Sequence, residues 1–302
     1  MRLMTQIVPR DFNLFCISCT HFGSRLHSTH GFQSFVDTVL HKYEGLKATN
    51  NFIVHHGDHI EAVEIGHPHF RLGTNLKTVM KQQVLDAVKA YRPVASKIVA
   101  LLEGNHDQRL WKWDNIPSAI SRELYGSYDK YGTYSCKIAW CDRTGKNVMF
   151  KQFATHGRRS ISSSADDPIR IKSNLELSLK RRLKKKTGDA ILMTRGHSHL
   201  LFHSPPIHEL YLYDDGKRIT GAYTGTSQSR TWIHPDHRWY ASVGSFYRAY
   251  ASEMHKYDPN DLDNSAVSSY VEIGEYDPAQ LGYTVVLVRD GKIVGINKEF
   301  VA

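Results

Sequence analysis

Five times between residues 13 and 199, an apolar run stops at a short turn carrying histidine, aspartate or asparagine, and four of those turns hold a glycine. Helical patterns separate several of them. Strand, polar turn and helix in that order is the rhythm of an α/β protein. Residues 13–18 read as the first strand, and Phe35, Val36, Val39 and Leu40 give a helix over 32–43 one apolar face. A second strand is expected at 51–55 and a third at 97–102. Between them a helix over 76–91 should stop near Pro93, because proline disfavours helical geometry in the residue before it.

Later the pattern changes. Residues 133–139 and 147–155 alternate like paired strands around Gly145. A helix is expected at 169–186, a strand at 190–194, and hairpins at 207–213 with 217–223 and at 283–288 with 292–297. Two sheets follow, mostly parallel early and more antiparallel late. The economical organisation is a single domain over 1–302, with residues 200–302 completing the second sheet and the substrate-side loops.

A chain of 302 residues can bury a core without disulfide help, and four cysteines are too few for a disulfide scaffold. Cys16 and Cys19 have Cys-x-x-Cys spacing but no second pair to complete a structural zinc site. No stretch reaches the roughly 20 apolar residues of a membrane span. Nor does the first segment resemble a secretory signal, so the cytoplasm is the expected compartment. Lys and Arg number 39 against 30 Asp and Glu, and the resulting +9 favours a polyanion such as DNA or RNA as partner.

The turns themselves carry the chemistry. They are Cys19-Thr20-His21, Gly57-Asp58, Gly104-Asn105-His106-Asp107, Thr155-His156-Gly157 and Gly196-His197-Ser198-His199. Each follows a predicted strand, where open α/β sheets bind ligands. Alone, any one reads as a surface histidine or an ordinary turn. Five in order, each offering a metal-binding side chain, point to a metal centre.

In these motifs the chain resembles the calcineurin-like metallophosphoesterases. Four of that family's five ordered motifs match without alteration. The resemblance implies a four-layer α/β/β/α sandwich with two mixed sheets and two divalent metal ions. It also implies roles: Cys19, His21 and His199 on one ion, Asn105, His156 and His197 on the other, and Asp58 bridging. His106 would stand near the scissile phosphate as an imidazolium assisting the leaving group, with Glu61 where some members carry an acid that orients it. The implied reaction is hydrolysis of a phosphate ester by hydroxide bridging the two ions, which such a pair generates near neutral pH.

The departure is Cys19, where the family carries aspartate. A thiolate keeps the charge but is soft, which favours manganese, zinc or iron over magnesium. Three readings stay open: a sulfur ligand, a bystander beside a weakened centre, or a non-catalytic scaffold. Cys-x-His is also similar to the first motif of RNA lariat debranching enzymes, whose substrate is a 2′,5′-phosphodiester.

For substrate contacts the sequence offers Asn105 and His106, Arg109 beside Trp111, Lys112 and Trp113, and Arg158 with Arg159 directly after His156. Cations next to aromatics suit bases and phosphates, though the tryptophans could equally cap a core. A basic run over 180–186 reads either as a solvated helix end or as a phosphate contact. A nuclease is the first expectation. A phosphomonoesterase, a protein phosphatase and a debranching activity are the alternatives.

Overall fold

The computed structural model describes residues 1–63, 66, 67, 80–225, 227–250 and 270–301. It begins with a strand the sequence did not announce, β1 (Arg2–Ile7), in which exposed and half-buried side chains alternate along a sheet edge. β2 (Phe12–Ile17) is buried at every position, as befits a strand covered on both faces. Helix α1 (Thr29–Leu40) starts three residues before its expected first turn because the Ser28 hydroxyl caps it, accepting from the Gly31 N–H at 3.2 Å. β3 (Asn51–His55) follows. Of the helix expected over 76–91, residues 76–79 lie outside the described residues, and the remainder is α2 (Met80–Tyr91). Pro93 sits in a 3-10 turn, Arg92–Lys97, which leads into β4 (Ile98–Leu101).

Helix α3 (Ile116–Tyr125) went unread, although Asn115 caps it, Pro117 lies in its first turn and Gly126 ends it in left-handed geometry. β5 (Ser135–Cys141) and β6 (Val148–Thr155) form the expected hairpin. Helix α4 (Pro168–Leu183) is capped by Asp167 and precedes β7 (Leu192–Arg195) and β8 (Leu201–Ser204). β9 (Leu210–Asp214) and β10 (Ile219–Tyr223) make a separate two-stranded ribbon. β11 (Trp239–Val243) comes next, and β12 (Gly282–Arg289) with β13 (Lys292–Phe300) ends the described chain.

Two large mixed sheets result. The first runs β13-β12-β2-β3-β4 and the second β1-β5-β6-β7-β11-β8. The late hairpin corrects the expected assignment: β12 pairs antiparallel with β2, so it completes the first sheet, while β8 and β11 extend the second.

Alternation along β2 explains the layering. Phe12, Leu14 and Cys16 pack against Ile138, Trp140, Phe150 and Ala154 of the second sheet. Phe15 and Ile17 point the other way, into a cluster with Phe35 and Val39 of α1, Val88 of α2 and Ile120 of α3. On the far side, Leu179 and Leu183 of α4 cover Phe153 and Met193 of the second sheet. The order is therefore helices, sheet, sheet, helix. The Phe12 and Trp140 rings stack 5.2 Å apart at the centre of the sandwich, where a buried aromatic contributes on the order of 2 kcal/mol from area alone.

Strands β2, β3 and β4 run parallel, as do β6 and β7. Their carboxyl ends meet across the two sheets: the Nδ1 atom of His156, after β6, lies 2.6 Å from the carbonyl of His56, after β3.

Candidate metal centre

Backbone geometry marks the site before any side chain is considered. Cys19, His21, Asp58, His197 and His199 all have φ between +48° and +69°. Side chains rarely tolerate that left-handed region, and strain of about 1–3 kcal/mol per residue gathers where function needs a particular direction. Glycine lets these turns approach one another. A Cβ on Gly104 would sit 2.1 Å from Asp58 Oδ1, and one on Gly196 would sit 2.2 Å from Ser18 Oγ.

The structure brings the donors together. Donor atoms of Cys19, His21 and His199 fall within 4.8 Å of one another, as do those of Cys19, Asp58 and His156. Asp58 is common ground: its Oδ2 is 3.2 Å from His156 Nε2, 3.7 Å from His21 Nε2 and 4.0 Å from Cys19 Sγ. The ring of His197 lies 5.1 Å from that of His156, centroid to centroid.

The donor set suits cations. His156 donates through Nδ1 to the His56 carbonyl, and its Nε2 faces Asn105 Oδ1 at 2.9 Å and the Asp58 carboxylate at 3.2 Å. Two oxygens converging on one ring nitrogen favour positive charge between them, as a proton or as a metal ion. His21 tells the same story. Its Nδ1 lies 3.0 Å from Glu61 Oε2, and its Nε2, fully buried, has no hydrogen-bond partner.

Charge follows geometry. Burial alone would lower His21, yet the Cys19 thiol and the Glu61 and Asp58 carboxylates pull it up to about 10. Burial lowers His197 to about 4 and His199 to about 3, which keeps both imidazoles neutral and able to ligate. Burial pushes Asp58 up, but His156, His106 and His21 more than offset it and hold the carboxyl well below its usual range.

Two expectations are revised. The Glu61 carboxylate bonds His21, with a His106 ring nitrogen within 4.8 Å, and it is the Glu61 backbone carbonyl that receives His106 Nδ1, at 2.7 Å. His106 was expected as an imidazolium, but burial holds its pKa well below the ordinary value. Arg109 supplies the cation there, its two terminal nitrogens 3.1 and 3.2 Å from the ring nitrogens of His106. Arg158 and Arg159 stand exposed on the loop after His156.

Two contributors were given no role from the sequence. Asp107, the last residue of the third motif, is buried and accepts from the N–H groups of Asp58, His59 and Gly104 at 2.9, 3.1 and 2.8 Å. It ties the second and third motif turns together. Burial and the neighbouring Asp58 raise it to about 7. The ring of Tyr247 packs 4.7 Å from His21 and 5.7 Å from His199, fixing both imidazoles from a distant segment. The tight motif spacing hinted at Asp107; no local signal pointed to Tyr247.

A two-sheet sandwich whose converging strand ends gather imidazoles, carboxylates and a thiol presents a candidate metal centre. The family profile described as calcineurin-like phosphoesterase matches residues 12–237, well over half of the chain, and the chain belongs to that family. No curated protein matches it. Among the described residues no helix is long and apolar enough to cross a membrane.

Proposed function

We propose that this protein is a two-ion phosphodiesterase acting on nucleic acid. The observation that carries the reading is the gathering of Cys19, His21 and His199 in one donor group and of Cys19, Asp58 and His156 in another, with Asn105 Oδ1 2.9 Å from His156. Cys19, His21 and His199 would hold one ion, Asn105, His156 and His197 the second, and Asp58 would serve both. Two divalent ions so placed lower the pKa of water and stabilise charge on the attacking and leaving oxygens. Cys19 tilts the preference toward manganese, zinc or iron.

The chain's own residues supply the rest. Neutral imidazoles and the Asn105 amide leave the centre net cationic once loaded, which draws a phosphate. His106, anchored through Nδ1 on the Glu61 carbonyl, accepts at Nε2 from Arg109, whose remaining N–H groups offer donors to a developing alkoxide. A nucleic-acid substrate is supported by the +9 charge and by Trp111 and Trp113, 61% and 79% exposed, just past His106. Arg158 and Arg159 extend the cationic rim. Sulfur at Cys19 favours, as a second reading, a 2′,5′-phosphodiester substrate of the debranching kind.

The test is hydrolysis of bis-p-nitrophenyl phosphate with manganese or zinc, followed by linear DNA, linear RNA and branched RNA. Turnover that disappears in Asp58→Asn and His106→Ala supports the reading. Inactivity with every divalent ion, despite bound metal, would make the chain a non-catalytic scaffold. Activity confined to phosphomonoesters or phosphoproteins would overturn the diester assignment.

A further inference from the structure

Arg195 closes β7 and is 2% exposed, yet among the described residues no carboxylate pairs with it. A buried guanidinium stays protonated, and leaving it without a counterion is unfavourable unless its donors are used. They are used between two loops. Nη1 donates to Ser198 Oγ at 3.1 Å, inside the Gly196–His199 turn, and Nη2 donates to the carbonyl of Arg159, in the loop after His156.

Other features point the same way. Gly157, at φ +86°, makes room for the guanidinium: a Cβ there would lie 2.2 Å from Arg195 Nε. Tyr134 holds the first loop from outside, its hydroxyl donating to the Gly157 carbonyl at 2.6 Å.

We infer that Arg195 is a positioning residue whose planar fork sets the separation of His156 from His197, and so shapes the pocket of the ion those two residues share. The inference rests on the two-ion reading above. A lysine keeps the charge but offers a point ammonium that cannot span two loops in fixed geometry.

Cobalt(II) distinguishes the two ions. Metal-stripped wild type and Arg195→Lys are titrated with cobalt while absorbance is followed; the thiolate-to-cobalt band reports the ion at Cys19, and the second equivalent reports the pocket of His156 and His197. The expected result for Arg195→Lys is an unchanged thiolate band with second-equivalent affinity about 10–100-fold weaker, the usual loss when an outer partner of a ligand is removed. Gly157→Ala, which displaces the guanidinium without touching its charge, should give the same selective loss. Equal weakening of both equivalents would reveal a general structural role and overturn the inference, as would wild-type affinities in Arg195→Lys. Wild type binding fewer than two equivalents would overturn the two-ion reading itself and this role with it.

Discussion

His21 Nε2 lies 3.7 Å from Asp58 Oδ2, buried and without a hydrogen-bond partner, while its other ring nitrogen is engaged by Glu61. An imidazole tethered on one side and orphaned on the other is oriented to receive a cation. Asp58→Asn should therefore weaken divalent-metal affinity at least about 100-fold, more than an outer-partner change does, and abolish turnover. Isothermal titration of the metal-stripped protein checks the first part.

Protons compete for the same place. Because His21 is raised to about 10 in the metal-free fold, metal must displace a proton there at neutral pH, so affinity should climb as pH rises from 6.5 to 9. Affinity flat across that range would remove His21 from the ligand set.

Acid should unfold the protein through other histidines. Burial lowers His27, His56 and His59 to about 4 each. Between that value and the ordinary 6.5 the unfolded chain binds protons that the folded chain refuses, so stability is full above about 6.5 and falls as pH drops toward 4. A shift of that size is worth up to about 3 kcal/mol for one group. Urea midpoints at pH 7.0 and 5.0 measure the loss; equal midpoints would contradict it.

The motif order made the gathered donor positions legible, because a polar side chain just past a strand end leaves a short, dense signature of glycine and histidine. Their backbone strain and cross-sheet partners were not legible. His56 reads as one of two adjacent histidines, and only the fold sets its carbonyl against His156. Strands β1 and β11 escaped notice for a related reason: Arg2–Ile7 mixes polar and apolar residues at a sheet edge, and Trp239–Val243 is short and hidden in an aromatic, histidine-rich stretch. Tertiary pairing, not local propensity, makes them strands.

Asp107→Ala should reach the fold as well as the chemistry. It would orphan three buried N–H groups, each worth about 1–3 kcal/mol when left unsatisfied. A thermal-melting loss together with lost metal uptake is expected; an unchanged melting temperature would show that those groups find other partners.

Cys19 gives a redox prediction. If its sulfur holds metal as a thiolate, peroxide should inactivate the enzyme reversibly and a thiol reductant should restore it. Cys19→Asp should resist peroxide and shift its preference from zinc toward manganese and magnesium. Equal peroxide loss in both proteins would place the oxidised group elsewhere.

The exposed tryptophans can be tested by binding. Single-strand affinity should fall steeply with added salt, and Trp111→Ala or Trp113→Ala should cost about 1–3 kcal/mol if a base stacks there. Salt-independent binding, or none, would turn attention to small phosphate esters.

Left-handed geometry at Cys19, His21, Asp58, His197 and His199 has one more implication. Where the main chain dictates the direction of each Cα–Cβ bond, the pocket's outline is inherited from the turns, and the groups that fill it become exchangeable parts. A thiol and a carboxylate at position 19 would leave that turn in the same direction, so a change in a single codon could retune which element the pocket recruits.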